Sequence, residues 1–297
     1  MFRHLITWLC FVFVATGQDV WVKPPSKAQL NSIPGLKHFT LESRFMKKQV
    51  GYNVVLPSGY EENHDRRYPV VYWLHGGGGN ESSTLFTAHA WIELTKAGEI
   101  DPVILVYPNG FRSGYMDHAD GKQMVESLII RELIPTIDRD FHTIANRTGR
   151  AAHGFSMGSS GALKFAIKYP NMFCAAMGGG GGAIDLANSE NRFILNILER
   201  NLRSDPKLIR QNDTYHFLTK NHETVRKNGT EFLLLCGDQD VWLKSAESFQ
   251  SALRKKNISS ELIKVPDIAH NLRGIFRTHG KRSARFQDAA FKAARSD

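Results

Sequence analysis

Gly154-Phe155-Ser156-Met157-Gly158 constrains this chain more than any other stretch. A short strand pattern, Arg150 to Gly154, runs into it. A helical pattern, Ser159 to Lys168, leaves it and stops at Tyr169-Pro170. When a strand turns directly into a helix, the residue at the turn is strained and its side chain projects above the sheet. Side chains at the two glycine positions would collide with the neighbouring strand and helix, so both are glycine. The following helix points its N-terminus at Ser156, and its dipole favours negative charge there. G-x-S-x-G alone recurs by chance. With a strand before it and a helix after it, it predicts an exposed, reactive hydroxyl.

The rest of the chain alternates in the same way. Gln49 to Leu56 alternates like an early strand, and Tyr68 to Leu74 is the continuous apolar run of a strand buried on both faces. Residues 81–97 contain a helix. Val103 to Tyr107 is a second buried strand, stopped by Pro108-Asn109-Gly110. Met124, Leu128, Leu133 and Ile137 have helical spacing within 122–137. Strands follow at Phe173 to Met177, Phe232 to Cys236 and Glu261 to Val265, with a helix at Lys244 to Lys255 and a helical tail after Arg273. The expected fold class is α/β, a mostly parallel central sheet flanked by helices. A helical insertion near 183–230 breaks the rhythm. In such sheets it sits above the carboxyl edge, where it shapes a ligand pocket. Residues 18–38, with Pro24, Pro25 and Pro34, read as a loosely packed leader. Five glycines, Gly178 to Gly182, leave one rim poorly specified.

Composition excludes several classes. With 42% hydrophobic and 23% charged residues, the chain is neither disordered, collagenous nor coiled coil. No long apolar run follows residue 17, so no stable membrane insertion is expected. Arg3, the apolar run Leu5 to Val14 and the small residues Ala15-Thr16-Gly17 read as a signal peptide over 1–17, too short to span a bilayer. Cys10 lacks the preceding small residues of a lipoprotein signal. Cleavage before Gln18 leaves one catalytic domain, 18–297, secreted or periplasmic, and lowers the charge from +9 to +8. The basic residues are scattered, except in the tail from Arg273 to Arg295, so the excess reads as a solubility feature and no nucleic-acid partner is expected. Cys174 and Cys236 fall near opposite ends of neighbouring strands, about 13 Å apart at ~3.3 Å per residue. A disulfide needs less than about 7 Å, so both are expected as buried free thiols.

A serine hydroxyl needs a base. In sheets of this kind the partners follow in the order serine, acid, histidine, at strand ends. Asp240 lies just beyond Phe232 to Cys236, and His270 just beyond the last strand. Asp238 is the rival acid, read as a turn residue. His279 is the rival base, inside a basic helical stretch. An oxyanion needs two backbone N–H donors. Met157 supplies one, and Gly77, in His75-Gly76-Gly77-Gly78-Gly79-Asn80, the other. Asn80-Glu81-Ser82 lacks the Gly-Lys-Ser/Thr ending of a phosphate loop. Asp117, His118 and Asp120 share one loop and leave calcium open. No two histidines share a helix face at metal spacing and no C-x-x-C exists, so no catalytic metal is expected. Sequons stand at Asn80, Asn146, Asn212, Asn228 and Asn257; a glycan on Asn80 would block the site, so Asn80 is read as structural.

Together these blocks resemble the Putative esterase family of α/β hydrolases, which includes feruloyl, acetylxylan and enterochelin esterases, S-formylglutathione hydrolases and mycolyltransferases. The resemblance spans about residues 45 to 275. It is carried by YPVVYWLHGGGGNES, GKQMVESLIIRELIPTIDRDF, AAHGFSMGSSGALKFAIKYPNMF, DTYHFLTKNHETVRKNGTEFLLLCGDQDVW and the His270 loop. It implies the α/β-hydrolase fold, Ser156 as nucleophile, Asp240 as acid, His270 as base, and no cofactor. One departure is visible: Ser159-Ser160 follows Gly158 where the family continues with another glycine. Within the family, secretion favours esters on polysaccharide, feruloyl or acetyl. Substrate contacts are expected from His75, Gly76, Trp91, Tyr115 and Trp242, with Phe193 a further candidate for an aromatic slot. An acyltransferase of the mycolyltransferase type, and a non-catalytic binding protein on the same fold, are the alternatives.

Overall fold

The computed structural model describes residues 20–296; the signal peptide expected over 1–17 lies outside them. The chain runs α1 (Lys27–Ser32), β1 (Leu36–Ser43), β2 (Lys48–Val55), β3 (Val70–Leu74), α2 (Ala88–Lys96), β4 (Ile104–Pro108), α3 (Val125–Leu128), α4 (Ile134–Asp140), β5 (Arg150–Phe155), α5 (Met157–Lys168), β6 (Ala175–Gly179), α6 (Arg192–Leu202), α7 (Pro206–Asn212), α8 (Thr214–Lys227), β7 (Glu231–Gly237), α9 (Leu243–Lys255), β8 (Ser260–Val265) and α10 (Leu272–Ser296). The eight strands form one sheet in the order β1-β2-β4-β3-β5-β6-β7-β8. β1 and β2 form an antiparallel pair, and β2 lies antiparallel to β4. Every later neighbour is parallel.

Because side chains alternate across a strand, each central strand feeds two cores. Val70, Tyr72 and Leu74 face one side with Phe165 of α5, Val225 of α8 and Phe249 of α9. Val71 and Trp73 face the other with Trp91 of α2 and Ile275 and Phe291 of α10. Phe232, Leu234 and Cys236 divide from Leu233 and Leu235 in the same way. This double burial is why the strands read as unbroken apolar runs. Between α3 and α4 the helix widens into a π turn over Ile129–Leu133. Pro135 follows; it has no N–H to donate to the carbonyl four residues back, and the wider turn accommodates it.

Residues 183–230 fold as three capped helices. Asn191 caps α6 and Asp205 caps α7, which begins on Pro206. Asp213 accepts from His216 N and from Ala187 N, tying α8 to the start of the insertion.

Two expectations need correction. The leader is not loosely packed. Trp21 is buried against Phe111, and its carbonyl accepts from Gly51 N. Ser26 and Gln29 cap α1 reciprocally, Ile33 is buried, and β1 begins at Leu36. β1 was hidden because an edge strand carrying His38, Thr40 and Glu42 has no apolar run. The glycine rim, in turn, is closely specified. β6 extends through Gly179, and a Cβ on Gly178 would lie 2.4 Å from Ser159 Oγ.

Cys174 and Cys236 are both free and buried. The Cys174 carbonyl accepts from Glu231 N, so Cys236 lies five residues further along the neighbouring strand. No helix among the described residues is long and apolar enough to cross a membrane.

Candidate active site

β5 ends at Phe155 and α5 begins at Met157, so Ser156 alone carries the reversal, at φ 56° and ψ −117°. Its N–H donates to Gly179 O at 2.7 Å. A Cβ on Gly154 would sit 2.2 Å from Gly158 O, and one on Gly158 would sit 2.0 Å from Leu74 O. Neither backbone can yield without parting the strand from the helix.

The ends of β7 and β8 bring two further side chains to this hydroxyl. Gln239 N donates to Ile268 O and Asp238 N to Val265 O, so the two loops run side by side. Ser156 Oγ lies 2.9 Å from His270 Nε2. His270 Nδ1 lies 2.8 Å from Asp240 Oδ2 and 3.1 Å from Oδ1. The Asp240 carboxylate is sealed from solvent and also accepts from Trp242 N at 2.8 Å. The Phe155 ring lies 4.8 Å from the imidazole, centroid to centroid. An Nδ1–H facing a buried carboxylate leaves Nε2 as acceptor, the tautomer that can take a proton from Ser156. Asp238 is exposed, and His279 lies on α10 bonded to Thr278.

Gly77 and Met157 both line the cavity over Ser156. His75, Gly76 and Tyr115 support this loop rather than face the cavity, which corrects their expected substrate contact. A Cβ on Gly76 would lie 3.4 Å from Ser156 Cβ, so the loop packs directly on the elbow. His75 is buried: Nε2 accepts from Gly110 N at 2.9 Å, Nδ1 donates to Gly76 O at 2.7 Å, and its carbonyl accepts from Tyr115 OH at 3.0 Å.

Burial lowers the His75 pKa from 6.5 to about 4. Between those values the unfolded chain binds a proton that the folded protein excludes. Stability is therefore fully present above pH 6.5 and falls as pH drops toward 4, by about 3 kcal/mol from this residue. His153, buried between Trp73 and Trp91, is also pushed well down by desolvation and steepens the same window. Urea unfolding from pH 7 to 4 should show a shallower slope for His75→Gln, by close to one proton. An unchanged slope would mean that His75 is not held neutral.

The cavity measures about 600 Å³. The insertion builds one wall through Ile184, Leu186, Phe193, Ile194, Ile197 and Arg200. Trp242 and Phe193 stand at 6.2 Å, ring to ring, and both line it. Trp91 does not: it packs on Trp73 beneath the opposite face of the sheet, the second correction to the expected contacts. The chain's departure from the family serine motif also has a structural use. Ser159 Oγ donates to Gly181 O at 2.7 Å, and Ser160 Oγ to Gly182 O at 3.2 Å, clasping the glycine rim.

Sequence reasoning missed Arg112, Met116 and Lys164. Lys164 offered a signal, a cation on the apolar face of α5. It is fully buried, and its Nζ donates to Tyr115 O at 2.8 Å, Glu126 Oε2 at 2.7 Å and Asn212 Oδ1 at 3.2 Å. Burial pushes the Glu126 carboxyl up, but Lys164 and Lys168 together outweigh it and hold it below the usual range. Asn212, buried here, is closed to a glycan. The Asp117 carboxylate accepts from Ser127 N and Oγ, and Asp120 from Lys122 N. No group of three His, Cys, Asp or Glu among the described residues could hold a metal.

Residues 43–185 match the family described as Putative esterase. An esterase of Mycobacterium tuberculosis, Rv1288, is 36% identical over 154 residues, covering 50% of this chain and 33% of that protein. An endo-1,4-beta-xylanase/feruloyl esterase of Xylanibacter ruminicola is 35% identical over 147 residues, 46% of this chain and 20% of that protein. The chain thus spans a third or less of the length of these curated relatives. A solved ferulic acid esterase superposes with a TM-score of 0.73 at 24% identity, over 86% of this chain and 98% of that one, a likeness of fold. Over residues 43–185, carried on an α/β-hydrolase fold, the chain is similar to the family described as Putative esterase.

Proposed function

We propose that the protein is a serine carboxylesterase working through an acyl-enzyme. The observation that carries this reading is the unbroken line from Ser156 Oγ through His270 to the sealed Asp240 carboxylate, 2.9 and then 2.8 Å. Ser156 Oγ attacks the ester carbonyl as His270 Nε2 takes its proton. The oxyanion forms against Met157 N–H and Gly77 N–H. His270 returns the proton to the departing alcohol, then activates the water that releases the acid. Asp240 holds the ring and stabilises its charged form throughout. Every group in the sequence comes from the chain itself.

For the substrate, we propose an ester on plant polysaccharide, feruloyl or acetyl. The xylanase/feruloyl esterase relative supports it, as do Trp242 and Phe193, which offer faces for an aromatic acyl group. The test is an ester panel: methyl ferulate, 4-nitrophenyl acetate and acetylated xylan. Turnover of methyl ferulate assigns a feruloyl esterase. Turnover of acetyl esters alone assigns an acetylesterase and removes the aromatic slot. Secretion after loss of residues 1–17 belongs to the same proposal and is read by N-terminal sequencing of exported protein.

A further inference from the structure

The cavity over Ser156 is lined by three cations, Arg112, Lys164 and Arg200, and by no carboxylate among the described residues. Lys164 is already answered by Glu126 behind the wall. Arg112 and Arg200 are not: no Asp or Glu among the described residues lies within ion-pair distance of either. Both are exposed residues that line the cavity. Asn201 Nδ2 donates to Ser113 O at 3.2 Å, and its carbonyl accepts from Ala119 N at 2.8 Å, which fastens α6 to the loop that carries Arg112. Arg200 Nε donates to Asn201 Oδ1 at 2.9 Å and is aimed by it. The Arg112 guanidinium lies 3.8 Å from where a Gly78 Cβ would be, beside Gly77. The remainder of the surface is largely apolar, with Met116, Ile184, Ile194 and Trp242.

A largely apolar cavity lined by two exposed guanidinium groups without a carboxylate partner is complementary to a ligand with an apolar body and an anionic end. Guanidinium binds carboxylate through two parallel hydrogen bonds, which fixes orientation as well as adding energy. A neutral ester leaves both groups to water. We infer that the substrate of this site carries a carboxylate, held by Arg112 and Arg200, on either its acyl or its alcohol half. The inference rests on the esterase reading for its substrate, but the anion site is defined by the arginines alone.

Two matched pairs separate the halves. Mono-4-nitrophenyl glutarate against 4-nitrophenyl butyrate places the charge on the acyl group. 4-Carboxyphenyl butyrate against 4-carbamoylphenyl butyrate places it on the alcohol. In one pair, kcat/KM should favour the anionic ester by about tenfold. The preference should shrink in 0.5 M salt, roughly the regime of a 3–5 Å screening length, and vanish in Arg112→Gln/Arg200→Gln. No preference in either pair, or a preference that survives the double substitution, overturns the inference. A second readout needs no turnover: calorimetry of 4-phenylbutyrate and 4-phenylbutanamide on Ser156→Ala, with and without the two arginine changes. Arginine-dependent selection of the acid by a protein that hydrolyses no ester would keep the anion site and refute the esterase. Equal binding of acid and amide would refute the anion site whatever the esters do.

Discussion

Ser156→Ala is expected to abolish ester hydrolysis, lowering kcat/KM on the order of 10⁴- to 10⁶-fold, while the protein stays folded. The hydroxyl is the only atom removed. His270 keeps Asp240, and Met157 and Gly77 keep their positions at the cavity. Alanine tolerates φ 56° no better and no worse than serine, so the melting temperature should hold. Ser156→Gly makes the complementary point. It should be equally inactive yet more stable by about 1 kcal/mol, because glycine occupies a positive φ without strain. Initial rates and thermal melts on the two variants separate chemistry from strain. Activity that survives either change would place the nucleophile elsewhere.

Glu126→Ala should destabilise the protein by about 3–5 kcal/mol, the usual effect of stranding one buried charge. Glu126 answers Lys164 at 2.7 Å and Lys168 at 2.5 Å, and accepts from Tyr169 OH at 2.5 Å. Without it, the Lys164 ammonium keeps only Tyr115 O and Asn212 Oδ1 inside the wall. Glu126→Leu combined with Lys164→Met removes both charges and should recover most of the loss. Urea unfolding of the single and double variants reads this directly. Recovery below half of the single-variant loss would show that the pair contributes more than mutual neutralisation. The same network reaches the candidate site: Lys164 holds the Tyr115 carbonyl, Tyr115 OH holds the His75 carbonyl, and His75 Nδ1 donates to Gly76 O beside Gly77.

The elbow was legible because its constraint is local. Two glycines, one serine, a strand and a helix are consecutive, and the collisions that forbid a Cβ occur within the same few residues or on the neighbouring strand. Asp240 and His270 could be picked out by their place beyond buried strands, and the structure brings both to Ser156. Their neighbours were harder. His75, Gly76 and Tyr115 sit in the expected loops, but residue type does not say whether a side chain points into a cavity or under it. Trp91 packs under the same strands, against Trp73 and His153, but on the opposite face of the sheet, a distinction set by helix packing. Arg112 and Arg200 come from segments far apart in sequence, and the contacts of Asn201 and the packing of Met116 on α6 join those segments. The N-terminal segment misled because Trp21 and Ile33, its anchors, stand singly among prolines and polar residues.

The strand order has a consequence for how the chain acquires its fold. β3, buried along its whole length, has β4 on one side, but its other neighbour, β5, begins at Arg150, opposite Val70. At about 5–20 residues per second of synthesis, the ribosome needs several seconds or more to supply that second neighbour. Until then one edge of YPVVYWL is an open template, able to pair with the same segment of another chain. Long-range parallel pairing of this kind slows folding. Refolding yield from urea should therefore fall steeply with protein concentration, and the lost material should be intermolecular sheet formed through residues 68–74.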